Sequence, residues 1–203
     1  AFPLLVDSKS CSNTQQIVIE ADDTHKNIEA LTSVWKVLSD GHATRRSFMI
    51  NLGGGMVTDL GGFAASTFKR GIRYINVPTT LLGAVDAAVG GKTGINFNGL
   101  KNEIGVFNPA EAVLISSIFF KTLSREHLLS GYAEMLKHGL ISSIDVYDKL
   151  LIPDFSHLDL DKLLELLEES VKVKEHIVEV DPFEKIIRKS LNLGHTIGHA
   201  FES

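Results

Sequence analysis

The spacing of apolar positions changes near residue 120. Before that point, short apolar runs alternate with glycine-rich and small-residue segments. Residues 47–55 (SFMINLGGG) predict a buried strand that ends in a glycine turn, and residues 56–70 predict a helix. Two more strands are predicted, one at residues 72–78 (IRYINVP) and one at residues 112–116 (AVLIS). This strand–helix–strand order is typical of a parallel sheet.

Beyond residue 120, apolar residues recur at spacings of three and four, which is typical of amphipathic helices. Residues 124–142, 159–180 and 184–203 each predict a helix, and residues 116–126 (SSIFFKTLSRE) form the junction. The sequence therefore predicts an α/β protein whose parallel-sheet domain covers residues 1–120 and whose helical domain covers residues 121–203.

Composition excludes several classes of protein. The formal net charge is -5 and no run of basic residues occurs, so a nucleic-acid partner is not expected. Cys11 is the single cysteine, which excludes a disulfide framework and a cysteine zinc site and favours a cytoplasmic location. The apolar start AFPLLV is too short to cross a bilayer, so no membrane association is expected.

Three glycines, Gly53 to Gly55, lie between a predicted strand and a predicted helix. Glycine lets a phosphate approach the backbone, and a helix N-terminus offers free N–H groups, so this turn suits a dinucleotide. A tight turn without a ligand is the alternative. Asp59 lies on the first turns of the helix, as a ligand contact or as a solvated cap. Thr79 and Thr80 follow the next strand, and by themselves they favour helix capping.

Residues 83–105 (GAVDAAVGGKTGINFNGLKNEIG) place four polar side chains among glycines on backbone predicted to be flexible. They are Asp86, Lys92, Lys101 and Asn102. Two lysines and an amide near glycine turns suit phosphate recognition better than a solvated loop.

Helical spacing places further candidates together. Glu134, Lys137 and His138 share one face, although an ordinary surface face would look similar. His195 and His199 are four residues apart, which would allow both to bind one zinc ion. Three polar residues upstream suggest that an anion is held beside this metal site; they are Lys174, Arg188 and Asn192.

Four ordered blocks of the chain resemble the 3-dehydroquinate synthases, a family of sugar-phosphate cyclases. They are residues 53–71 (GGGMVTDLGGFAASTFKRG), 77–105 (VPTTLLGAVDAAVGGKTGINFNGLKNEIG), 131–139 (GYAEMLKHG) and 191–200 (LNLGHTIGHA). The resemblance runs from about residue 26 to the last residue. It implies a Rossmann-like NAD-binding domain followed by part of an all-helical metal- and substrate-binding domain.

The resemblance also implies cofactors and their residues. NAD would contact Asp23, Lys26, Gly54, Gly55, Asp59, Thr79, Thr80, Lys92, Lys101, Phe119 and Thr122. At Asp23 the family usually has glutamate. Zinc, or cobalt, would be bound by Glu134 and His195, whereas His199 would lie near the substrate phosphate. The third metal ligand of the family would lie beyond Ser203.

The reaction implied by the resemblance converts 3-deoxy-arabino-heptulosonate 7-phosphate into 3-dehydroquinate and phosphate, in the shikimate pathway. The substrate phosphate would be held by Lys92, Asn102, Lys137 and His199. The substrate carboxylate would be bound by Lys174 and Arg188, and the substrate hydroxyls by Asp86 and Asn192. Arg70 would act across the interface of a homodimer.

Two departures from the family pattern leave alternatives open. The β-α-β region expected at the N-terminus is shortened, and the segment with the third metal ligand is missing, so we expect a truncated chain that is poorly active alone. One alternative is another sugar-phosphate cyclase, of the 2-deoxy-scyllo-inosose or valiolone synthase type. The other is a non-catalytic nucleotide-binding fragment.

Overall fold

The computed structural model describes residues 14–20, 22–151, 159–195 and 198. Within these residues a parallel three-stranded sheet has the order β1-β2-β5, and a separate antiparallel hairpin joins β3 to β4. The strands are β1 (Phe48–Gly53), β2 (Arg73–Pro78), β3 (Lys92–Phe97), β4 (Leu100–Phe107) and β5 (Ala112–Val113). The α-helices are α1 (Ile28–Asp40), α2 (Gly55–Thr67), α3 (Arg125–Ser142), α4 (Ile144–Leu150) and α5 (Leu160–Val180).

The predicted strand–helix–strand unit is confirmed by β1, α2 and β2. Strands β1 and β2 pair in parallel, so their carboxyl ends meet at one edge of the sheet. Strand β1 is not the buried strand that was predicted, because Phe48 and Ile50 are exposed and Asn51 is its one buried residue. The Asn51 side chain donates a hydrogen bond to Asn76 Oδ1 at 2.9 Å, which satisfies two buried amides between neighbouring strands.

Residues 83–105, predicted to be a flexible glycine-rich segment, form two defined elements. A π-helical turn, Gly83–Ala87, is followed by the β3–β4 hairpin. Every residue of β4 is exposed, so the strand has no buried face, although Leu100, Ile104 and Val106 alternate with polar or small residues in its sequence. Gly94 and Gly105 are opposite each other in this hairpin. Lys92 lies on paired backbone, whereas Lys101 and Asn102 lie at an irregularity of the register, where Asn102 has φ +54°.

A shared hydrophobic core joins the segment after β2 to the helical part. Leu81, Val85 and Phe120 pack in one cluster with Met135 of α3 and Leu167 of α5. Because this core holds α3 and α5 against the turn at Gly83–Ala87, it fixes the polar side chains of all three elements relative to one another.

Two further sequence predictions needed correction. The strand predicted over residues 112–116 is only two residues long. The long helix predicted over residues 184–203 is interrupted in its described part, where Ile187–Asn192 is a 3-10 helix and Leu193 leaves the helical region. Gly194 follows with φ +83°, a conformation that favours glycine, and His195 and Gly198 are helical again, with Gly198 N donating to Gly194 O at 2.9 Å.

None of the described helices combines the length and the apolar character needed to cross a membrane.

Substitution of Gly105 tests the hairpin. A β-carbon at this position would overlap the backbone carbonyl of Thr93, so Gly105→Ala must push the strands apart. We expect a loss of about 1–3 kcal/mol in the free energy of unfolding, measured by urea denaturation. Val106→Thr, at the next and exposed position, should change it by less than about 0.5 kcal/mol. Equal effects of the two variants would contradict the pairing.

Candidate active site

The glycine turn between β1 and α2 approaches the end of β2 closely. A β-carbon on Gly54 would lie 3.1 Å from Thr80 Cγ2, and one on Gly55 would lie 3.0 Å from Ala87 Cβ. Helix α2 begins without a side-chain cap, so its first N–H groups are open to a ligand. The Thr80 hydroxyl accepts a hydrogen bond from Gly83 N at 3.0 Å, which confirms a local capping role, while Thr79 N donates to Gly53 O.

Lys26 links this turn to the hairpin. Its ammonium is buried and donates hydrogen bonds to Asp59 of α2 and, at 2.5 Å, to Asn102 Oδ1 of β4. Burial raises the pKa of Asp59, and the charge of Lys26 opposes that rise. Asp59 is therefore a paired carboxylate whose side chain is only 19% exposed, and the solvated cap considered from the sequence is wrong.

Asp86 and Lys174 form a second charged pair. Lys174 of α5 donates hydrogen bonds to the Asp86 carboxylate and, at 2.5 Å, to the Asp86 backbone oxygen. Burial alone would raise the pKa of Asp86, but the charge of Lys174 and its hydrogen bond lower this pKa to about 2. The charge of Lys137 acts in the same direction, which shows that α3 faces this pair.

Lys137 lies between the two predicted metal ligands. Its Nζ is 2.5 Å from Glu134 Oε1 and 3.5 Å from His195 Nε2, and it donates to Leu191 O at 2.5 Å. A buried ammonium between a carboxylate and an imidazole shows that these side chains create a position for a cation. Among the residues that the structure describes, no group of three metal-ligating side chains converges.

His138 is fully buried and lies against Ser170 of α5, so the surface-face alternative for α3 is wrong. Its Nε2 lies 3.5 Å from Glu134 Oε1. Although burial opposes the shift, the approach of His138 and the charge of Lys137 lower the pKa of Glu134, so this carboxyl is held in its charged form.

Lys92 and Asn192 meet at a residue that the sequence analysis missed. Glu184 pairs with the Lys92 ammonium and accepts a hydrogen bond from Asn192 Nδ2 at 2.7 Å. Its φ of +56° is unusual for a residue other than glycine. The one available signal was its position four residues before Arg188, within a charged stretch. Ser170 was missed as well, although a serine among the buried leucines of α5 is a recognisable exception to the apolar pattern.

Arg188 is almost completely buried next to the hairpin. Nη1 donates to Pro182 O at 2.7 Å and Nη2 to Gly90 O at 2.9 Å, and the guanidinium lies 5.6 Å from the centre of the Phe107 ring. Nε is buried and has no hydrogen-bond partner. Burial lowers the pKa of Arg188, as expected for a cation that lacks a paired anion.

The remaining predicted residues lie apart from these pairs. Asp23 and Lys101 form an exposed ion pair at 3.5 Å. Phe119 packs against the hydrophobic core, and Thr122 is exposed at the end of the same 3-10 helix. Arg70 follows the C-terminus of α2, about 20 Å from the glycine turn for a helix of 13 residues. His199 lies outside the described residues.

Comparisons with known proteins place this arrangement in one family. Residues 16–130 match the family described as 3-dehydroquinate synthase N-terminal, and residues 131–203 match the family described as 3-dehydroquinate synthase C-terminal. A 3-dehydroquinate synthase of Parabacteroides distasonis is 56% identical over 202 residues, which are 100% of this chain and 57% of that protein. One of Streptococcus pyogenes serotype M6 is 44% identical over 88% of this chain and 50% of its own length. The chain thus spans little more than half the length of these curated relatives.

Solved structures of related enzymes confirm the predicted α/β fold class. The 2-epi-5-epi-valiolone synthase ValA of Streptomyces hygroscopicus, with NAD+ and Zn2+ bound, is 31% identical with a TM-score of 0.82, over 91% of this chain and 53% of that protein. A 2-deoxy-scyllo-inosose synthase complexed with carbaglucose-6-phosphate, NAD+ and Co2+ is 25% identical with a TM-score of 0.79, over 92% of this chain and 52% of that protein. The two family matches and the identity across the whole chain are decisive, and the chain belongs to the 3-dehydroquinate synthase family.

Proposed function

We propose that this chain forms the NAD-binding part and two metal ligands of a 3-dehydroquinate synthase. The enzyme would convert 3-deoxy-arabino-heptulosonate 7-phosphate into 3-dehydroquinate and phosphate. One observation carries the proposal: the Asp86–Lys174 pair and the Glu134–Lys137–His195 cluster come from separate elements and interact electrostatically. Such a concentration of buried, paired charges with shifted pKa values is typical of active sites.

The residues fit both cofactors. A β-carbon on Gly54 or Gly55 would be in tight contact with a neighbouring side chain, and the uncapped start of α2 suits the pyrophosphate of NAD, with Asp59 and Lys26 beside it. Glu134 and His195 would hold zinc or cobalt, with further ligands from outside the described residues. NAD would supply a reversible hydride acceptor for the substrate, and the metal would supply a Lewis acid for the substrate hydroxyls.

The substrate would be bound by groups that are paired with protein partners in this structure. Lys92, Asn102 and Lys137, together with His199, would hold the phosphate and stabilise the charge that it gains as it leaves. Lys92 now pairs with Glu184 and Lys137 with Glu134, while Asn102 Oδ1 accepts a hydrogen bond from the Lys26 ammonium. Asp86 and Asn192 would hold hydroxyl groups in the position required for each step.

Two parts of the proposal concern the intact protein. We propose that it forms a homodimer in the cytoplasm in which Arg70 acts across the interface. Arg70 is exposed, with φ +69°, directly after Lys69 at φ +50°. Two consecutive residues in this conformation form a tight turn after α2, and both are exposed.

A second candidate function is that of another sugar-phosphate cyclase, which the similarity to ValA and to 2-deoxy-scyllo-inosose synthase supports. The two functions differ in whether the substrate carries a carboxylate, as it does in the dehydroquinate synthase reaction. Arg188 has a buried, unpartnered Nε, and Lys174 lies beside Gly90, the residue that binds Arg188, so two cations are available for a carboxylate. This favours the dehydroquinate synthase reaction.

Arg188→Ala in the full-length protein separates these functions. We expect KM for the heptulosonate phosphate to rise by about 10- to 100-fold, because charge-assisted hydrogen bonds contribute about 1.5–3 kcal/mol, while the Kd for NAD is unchanged. Phosphate release, isothermal titration with NAD and the Tm are the measurements. A sugar phosphate of the same length without the carboxylate serves as the control substrate. Phosphate release from that control alone, or an unchanged KM in the variant, would refute the proposed reaction.

A further inference from the structure

His138 and its neighbours form a buried polar chain between two helices. The imidazole is 0% exposed, and Ser170 of α5 is likewise 0% exposed. Nδ1 lies 2.9 Å from Ser170 Oγ and 3.1 Å from Ser170 O, and Nε2 lies 3.5 Å from Glu134 Oε1. Nε2 and Glu134 Oε1 are both buried without an aligned hydrogen bond. Oε1 also lies 2.5 Å from the Lys137 ammonium, whereas Glu134 is the group that faces Nε2, and a buried ring nitrogen directed at a carboxylate requires an explanation.

The position of the ring hydrogen decides whether this contact attracts or repels. With the hydrogen on Nδ1, the Nε2 lone pair would face the negatively charged oxygen of Glu134 in a buried environment, which is unfavourable. With the hydrogen on Nε2, the ring donates toward Glu134, and Nδ1 can accept the Ser170 hydroxyl hydrogen. The second arrangement satisfies every group, and it requires the serine hydroxyl.

We infer that His138 is a positioning residue for Glu134, and that Ser170 holds His138 in the Nε2–H form that orients this carboxylate. The inference rests on the proposed function, because it treats Glu134 as a metal ligand. Ligating side chains commonly depend on such outer hydrogen bonds, which fix their orientation and basicity. Ser170 precedes Lys174 by one helical turn, so α5 would support both the metal ligand and the Asp86 partner.

Ser170→Ala in the full-length protein tests the tautomer without metal. Long-range 1H–15N NMR spectra of the metal-free protein report which ring nitrogen carries the hydrogen. We expect Nε2–H in the native protein and Nδ1–H in the variant. In the variant the hydroxyl is gone, so Nδ1 faces the backbone oxygen of residue 170, which accepts a hydrogen bond but cannot donate one. An Nδ1–H form in the native protein, or the same tautomer in both proteins, would overturn the inference.

Zinc affinity tests the consequence for the ligand. In competition with a chelator, Ser170→Ala should bind zinc about 10-fold more weakly than the native protein. Val171→Ala removes apolar volume at the next position of α5, so it should lower the Tm and leave zinc affinity unchanged. If Glu134→Ala loses zinc binding but Ser170→Ala does not, the inference about Ser170 and His138 is overturned and the proposed metal site stands. If the native protein binds zinc weakly and Glu134→Ala does not change that affinity, both the proposed metal site and the inference are overturned.

Discussion

Replacing Lys174 with methionine is expected to destabilise the protein and to remove most of its activity. The ammonium of Lys174 is the partner of Asp86, and methionine fills a similar volume without the charge. Breaking a fully buried pair costs about 3–5 kcal/mol, but the Asp86 side chain retains 37% exposure, so we expect a loss of about 2–3 kcal/mol at pH 7. Since Lys174 is also proposed to bind the substrate carboxylate, kcat/KM for phosphate release should fall by about 10²- to 10³-fold.

The pH dependence of this effect has a definite sign. The pKa of Asp86 is about 2 in the folded protein, below the 3.8 of an unperturbed aspartate, so its pairing stabilises the fold above about pH 4 and this contribution is lost as the pH falls toward 2. Without Lys174, burial raises this pKa, and protonation removes the unpaired charge. The difference in unfolding free energy between the native protein and Lys174→Met should therefore narrow from pH 7 to pH 3. A constant difference would contradict the pairing.

Lys172→Met is the matched control for this experiment. Lys172 lies on the same helix and pairs with Glu168 and Glu169, but its side chain is 56% exposed. Exposed pairs contribute little, so the control should lose no more than about 0.5 kcal/mol and keep its activity.

The sequence predicted the parts of the fold in which burial leaves a periodic pattern. Helix α5 buries residues at spacings of three and four, and α5, α3 and the β1–α2–β2 unit were found where the pattern placed them. The β3–β4 hairpin was missed because the many glycines and polar residues of residues 83–105 are typical of a loop, although Leu100, Ile104 and Val106 do alternate in β4. The helix predicted after residue 184 is interrupted at Gly194, whose positive φ is a property of the backbone that apolar spacing does not encode.

In the candidate site, too, some features could be predicted from the sequence and others could not. Resemblance to the family selected the charged residues, but their partners depend on contacts between elements distant in sequence. Lys92 and Glu184 are far apart along the chain, and so are Lys26 and Asn102. Ser170 lies outside the charged clusters and outside the four blocks that resemble the family. Its role depends on the packing of α5 against His138, which the sequence does not show. Pairing of this kind cannot be derived from local patterns.

Lys137→Met is expected to have the second large effect, because it leaves the Glu134 carboxylate without its nearest cation. The Lys137 side chain is only 10% exposed and that of Glu134 11%, so both charges are poorly solvated. We expect a loss of about 3 kcal/mol in the unfolding free energy of the metal-free protein, measured by urea denaturation. Phosphate release should fall by about 10²- to 10³-fold as well, since a cation proposed to stabilise the leaving phosphate is removed. Arg125→Met, at the exposed start of the same helix, is the control and should be close to the native protein in both measurements.

The double variant Lys137→Met with Glu134→Gln separates the two effects of Lys137. Removing both charges eliminates the unpaired carboxylate, so most of the lost stability should return, as expected for two directly interacting residues. Activity should not return, because the phosphate would still lack its cation and the metal would lack a ligand. Additive losses of stability in the double variant would show that Lys137 stabilises the fold through its hydrogen bond to Leu191 O and not through Glu134. Recovery of both stability and activity would remove Lys137 and Glu134 from the catalytic site.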